Sequence, residues 1–95
     1  MGSLRVYTLC NNSMFYTYIL LSLKDNKFYT AYTSDLDKIL LSHNNGEVFS
    51  TKNRRPLRLI YFEARHNQED AFYREKYLKT TYGKRFIKMS IRFSA

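Results

Sequence analysis

Tyr16-Thr17-Tyr18-Ile19-Leu20 and, after a turn, Tyr29-Thr30-Ala31-Tyr32-Thr33-Ser34-Asp35-Leu36 decide what this chain folds into. From Phe15 to Leu21 nearly every residue is apolar or aromatic, which predicts a central strand. Lys24-Asp25-Asn26-Lys27 has turn composition, and Phe28 to Tyr32 reads as a second strand, so the two should pair as a hairpin. A helix is predicted to start at Thr33 or Ser34, where Ser34 and Asp37 have capping-box spacing. Leu36, Ile39, Leu40 and His43 then recur at helical spacing until Asn44-Asn45-Gly46 ends the run.

Further along, Glu47 to Pro56 is a polar, basic loop. Leu57 to Glu63 alternates as a third strand, with Leu57, Leu59 and Tyr61 expected on one side and Arg58, Ile60 and Phe62 on the other. Asn67 caps a second long helix that should run to about Thr81, with Tyr82-Gly83 as its stop. Ala71, Glu75 and Leu78, flanked by Phe72, form its inward stripe. Lys84 to Lys88 adds a helical turn or two. The order is β-β-α-β-α-α: an α+β fold with a small three-stranded antiparallel sheet flanked by helices. Residues 1–13 lack a period and read as a tail before one domain over 14–92.

Ninety-five residues suffice for one domain, and 44% hydrophobic content is that of a globular chain. There is no apolar run of about 18 residues and no signal-like N-terminus, and the single Cys10 cannot form an internal disulfide. Together these suit a reducing, cytoplasmic setting, with Cys10 a spare thiol. The net charge of +8 is one-sided: residues 1–51 hold four basic and four acidic groups, so the whole excess falls in residues 52–95. A basic half interleaved with Tyr and Phe is the footprint of a polyanion binder; the plainer reading is a solubilising face. The charge is not gathered on one helix with a strong apolar face, so a membrane partner is not expected.

Glu75 is the residue with the strongest claim to chemistry. It shares a helix face with Ala71 and Leu78. A carboxylate turned toward a core is paired with a basic side chain or bound to a cation. Glu63, at the end of the third strand, is a weaker case. Tyr18 and Tyr29 on the hairpin are explained by packing or by a polar site. His43 has no companion at metal-ligand spacing, so a capping or surface role is its default. With three scattered glycines there is no phosphate-cradling loop.

Taken in order, these pieces resemble the GIY-YIG nuclease superfamily, particularly its small stand-alone bacterial members. The similarity covers about residues 15–87. It includes the two strand motifs, His43-Asn44-Asn45-Gly46, Ser50-Thr51-Lys52-Asn53-Arg54-Arg55-Pro56, Arg74-Glu75-Lys76-Tyr77-Leu78-Lys79, and Tyr82-Gly83-Lys84-Arg85-Phe86. The resemblance implies metal-dependent hydrolysis of a DNA phosphodiester. It assigns Glu75 to the divalent cation (Mg²⁺ or Mn²⁺), Tyr18 and Tyr29 to the attacking water and reacting phosphate, and His43 to their support. It implies nucleic-acid contacts from Lys52, Arg54, Arg55, Arg74, Lys84 and Arg85, with DNA ahead of RNA as partner, in a monomer or weak dimer.

Two departures stand out. The family's helix carries an arginine four residues before the histidine, and here that position is Ile39. The motif glycine is Ala31, and a commonly aliphatic position is Thr30. The expectation is a nucleic-acid-binding domain with weak or lost hydrolysis. The alternatives are an active endonuclease and a protein-interaction module.

Overall fold

The computed structural model describes residues 14–94, with side chains as far as Ser90. The expected tail at 1–13, including Cys10, lies outside the described residues. The elements are β1 (Phe15–Ser22), β2 (Phe28–Thr33), α1 (Leu36–Asn44), β3 (Leu57–Arg65), α2 (Gln68–Leu78) and α3 (Thr81–Ser94). A short 3₁₀ turn, Lys52–Arg54, interrupts the loop before β3. The sheet is antiparallel in the order β2-β1-β3, so the most apolar strand is central, as its composition predicts.

The alternation of β1 divides the core in two. Tyr18 and Leu20 face one side, where they cluster with Leu57 and with the half-buried Tyr29, Ala31, Leu36, Ile39, Leu40 and Leu59. Ile19 faces the other side, against Leu78 of α2 and Ile87 of α3, with Phe28, Ile60 and Tyr61 packed around them. Burying an Ile or Leu side chain completely stabilises the fold by about 1.5–3 kcal/mol. Each face therefore carries enough apolar area to fix the strand register.

One strand prediction is corrected. Leu57 and Leu59 share a face, but Tyr61 does not follow them. The pairing with β1 shifts between Ile19 and Leu20: Leu59 opposes Leu20 while Tyr61 opposes Ile19. Ile60 is thus the extra residue of a β-bulge, and every side chain after it changes sides.

The helix ends are set by capping. α1 starts at Leu36 rather than at Thr33 or Ser34, because the Asp35 carboxylate accepts from the Lys38 backbone N–H at 3.1 Å. Asn67 caps α2 as predicted, its side chain accepting from Glu69 N at 2.7 Å. α2 stops at Leu78, short of the expected Thr81, and Gly83 is not a stop. Thr80 Oγ1 accepts from Gly83 N at 3.1 Å and so caps α3. Gly83 lies inside the first turn of α3, where a Cβ would overlap the Tyr77 carbonyl oxygen and come within 2.5 Å of Leu78 Cα. The two helices meet closely only because that position has no side chain.

The hairpin is tied to the loop before β3. Asn26 takes a left-handed φ of 62° in the turn, which Asn tolerates. Ser22 Oγ donates to Arg54 O at 2.7 Å, and the Arg54 guanidinium grips Asp25 at 2.7 Å and reaches the carbonyls of Lys27 and Phe28. The hydrogen bonds from Arg54, above all, hold the Asp25 carboxyl down at about 2.

Gly83→Ala is expected to destabilise the domain by about 1–3 kcal/mol through overpacking. Urea denaturation checks this: an unchanged midpoint would contradict the close helix contact.

Candidate functional site

Tyr18, His43 and Thr51 come from β1, α1 and the loop after it, and all three are buried. The Tyr18 hydroxyl lies 2.9 Å from His43 Nε2, and the Thr51 hydroxyl lies 2.7 Å from His43 Nδ1. A neutral imidazole donates at one nitrogen and accepts at the other, and each hydroxyl can serve either role. Both ring nitrogens are therefore satisfied in either tautomer. His43 is pushed below the usual imidazole range by burial, so it is neutral at pH 7. The Tyr18 phenol is pushed well above its ordinary range, first by burial and then by the neighbouring Tyr29 and Glu75. It stays protonated, and a phenolate at this position is excluded near neutral pH.

Tyr29 packs beside this hydrogen-bonded group. Its ring centroid is 5.3 Å from that of His43, and its hydroxyl receives a bond from Ser50 at 3.4 Å. Ala31 pairs directly opposite Tyr18 across β1 and β2, so the two point the same way. Ile39 packs half-buried against the Tyr18–Leu20–Leu57 cluster. Two phenols, an imidazole and two alkyl groups thus pack together on this face of the sheet. Glu75 comes from α2, whose buried residues Ala71 and Leu78 lie on the other sheet face, yet its charge is felt at Tyr18.

Residues 14–89 match the sequence profile of the GIY-YIG catalytic domain. The chain belongs to the GIY-YIG family. It is 43% identical over 67 residues to the UPF0213 protein CPE1444 of Clostridium perfringens, covering 70% of this chain and 71% of that one. It is 40% identical over 70 residues to the UPF0213 protein YazA of Bacillus subtilis, covering 73% and 68%. The solution structure of the UPF0213 protein BH0048 from Bacillus halodurans superposes with a TM-score of 0.50 at 32% identity, covering 80% of this chain and 83% of that one. The three-stranded sheet and helix order are those of a small stand-alone GIY-YIG protein, a nuclease-like fold.

GIY-YIG nucleases work with a divalent metal. Among the described residues no three His, Cys, Asp or Glu side chains converge on a metal-sized site. A lone carboxylate such as Glu75 suits a hard, mostly hydrated cation rather than zinc. The Glu75 side chain is only 17% exposed and meets Lys79 Nζ at 2.6 Å, so an arriving cation competes with that ammonium for the carboxylate. Both pairing and metal binding were open for Glu75 in the sequence; the ion pair is present here.

The basic residues divide by their partners. Arg54 is committed to the hairpin turn. Arg74 forks onto Glu63 at 2.6 and 2.9 Å, and Glu63 also receives Arg65 and the Tyr61 phenol. Burial, the largest single influence, would raise the Glu63 carboxyl, but the hydrogen bonds from Arg74 and Tyr61 and the charges of Arg74 and Arg65 together hold it below the usual carboxylate range. Lys52 lies over the Phe49 ring at 5.0 Å, and Arg55 Nε donates to Lys52 O, both in the loop that carries Ser50 and Thr51. Lys84 and Arg85 lie on α3, which packs on the sheet face opposite His43 through Ile87. Sequence reasoning did not single out Thr51. Its position eight residues beyond His43, across a loop, leaves no periodic trace.

The buried neutral His43 makes stability fall in acid. The unfolded chain binds a proton near pH 6.5 that the native site resists, so native stability is full above that value and declines as pH drops toward the depressed native pKa. Removing the titrating group in His43→Gln should flatten part of this decline in chemical denaturation between pH 7 and 5. Thr51→Val should cost about 1–3 kcal/mol by leaving Nδ1 unpaired, while Thr51→Ser should cost less. Equal losses for the two Thr51 variants would remove the hydroxyl from this account.

Proposed function

We propose that this domain binds nucleic acid, DNA in preference to RNA, along the Lys52–Arg55 loop and hydrolyses phosphodiesters weakly or not at all. Ile39 carries this reading. In a phosphodiester cleavage the water oxygen bonds to phosphorus, the P–O bond to the leaving group breaks, and negative charge gathers on the phosphoryl oxygens in between. An arginine at this position would hold that charge; comparable arginines contribute about 10³–10⁵ in rate. Ile39 is uncharged and has no donor, and it packs on the core. Ala31 adds a methyl beside Tyr18 where the family has glycine.

Tyr29 borders the substrate edge in this reading, with His43 and Tyr18 buried behind it as neutral hydrogen-bonding groups. The Glu75 carboxylate would hold Mg²⁺ or Mn²⁺, and the ion would polarise the phosphate. The intact chain of Tyr18, His43 and Thr51 favours a second reading, an active endonuclease in which a displaced cation does the work of the arginine.

Supercoiled plasmid with Mg²⁺ or Mn²⁺ tests the first reading against the second. Wild type should nick no faster than buffer, and Ile39→Arg should raise the rate about 10³-fold or more, with the gain lost again when Glu75→Ala is added. Wild-type nicking abolished by Glu75→Ala would establish the second reading. Duplex affinity should fall steeply between 50 and 200 mM salt, as expected for phosphate contacts. No affinity at low salt would favour a protein-interaction module instead.

A further inference from the structure

A second basic feature lies away from that loop. Asn26, Lys27 and Phe28 of the hairpin and Lys84 and Lys88 of α3 line a cleft of about 450 Å³. Phe28 packs on the Ile19–Leu78–Ile87 cluster, so the cleft belongs to the sheet face opposite Tyr18, Tyr29 and His43. Three ammonium groups line it and no carboxylate does. The acid nearest in sequence, Asp25, points its carboxylate at Arg54 instead. Lys84 and Lys88 stand one turn apart on α3, a like-charge pair that works against the helix unless an anion lies across it. Lys27 follows the left-handed Asn26, so the turn sets where its backbone presents the side chain.

We propose that this cleft is a second nucleic-acid contact, which takes the phosphate backbone of a strand independently of the Lys52–Arg55 loop. Lysines are point charges that meet phosphates without reading bases. The half-buried Phe28 ring at the cleft adds an aromatic surface on which an unpaired base can stack. A bilayer fits less well. Among the residues of α3 whose side chains are described, the exposed large apolar ones are Tyr82, Phe86 and Met89. At 100° per residue Lys84 and Lys88 lie about 150° round the helix from the centre of that stripe, so a membrane meeting the stripe would leave both lysines facing away. With one contact on each face, a single domain can hold two segments of nucleic acid at once. The inference rests on the proposed nucleic-acid binding.

A bridging assay tests it. One DNA duplex is fixed to beads, protein is added at low salt, and capture of a second, labelled duplex is measured. Wild type should capture it. The triple variant Lys27→Gln/Lys84→Gln/Lys88→Gln, confirmed folded by its thermal melt, should still bind the fixed duplex but lose most of the capture. The log–log salt slope of its duplex binding should become shallower by about 2–3. Lys52→Gln/Arg55→Gln should lower affinity while leaving the cleft's share of the salt slope. Capture by the triple variant equal to wild type would overturn the second contact and leave the proposed function standing. The same follows if the triple variant matches wild type in duplex affinity, salt slope and capture but loses binding to phosphatidylserine vesicles, which would assign the cleft to lipid. Absence of any wild-type duplex binding would remove both.

Discussion

A buried imidazole, satisfied at both nitrogens, joins three stretches of chain that are far apart in sequence. Tyr18 on the central strand, His43 in the last turn of α1 and Thr51 in the following loop depend on one another for their hydrogen bonds. An unpaired polar group in such a place costs about 1–3 kcal/mol, so these groups hold α1 and its loop against the sheet. The first helix cannot move away from the sheet without breaking these hydrogen bonds.

The fold was legible because its main signals are local. The apolar run of β1, the hairpin turn and the Asn67 cap each specify structure within a few residues. What escaped depends on neighbours distant in sequence. Gly83 resembled a helix stop, but its bare Cα is where α3 passes the end of α2, and Thr80 supplies the cap. Asp35 was passed over as the cap of α1 because Ser34 beside it has the favoured spacing. The residues of the candidate site were legible only through the family pattern. Thr51 had no signal, since its partner is reached across a loop. Among the basic residues the sequence could not separate Arg54 and Arg74, which hold carboxylates, from Lys52, which does not.

Ile39 belongs to the core. On a helix with Leu36 and Leu40 nearby, its aliphatic side chain extends the apolar cluster around Tyr18. That packing is present with or without a ligand, so under the proposed reading the fold itself does not require an arginine at this position.

The added residue in β3 reaches further than the strand itself. Because Ile60 sets the chain out of step, Glu63 emerges beneath α2, where Arg74 can grasp it, rather than alongside Leu57 and Leu59. Deleting Ile60 alone would restore regular pairing and keep this carboxylate on the α2 side, whereas a residue inserted between Tyr61 and Glu63, continuing the regular alternation, would carry it to the face of Leu57 and Leu59 and cost α2 that anchor.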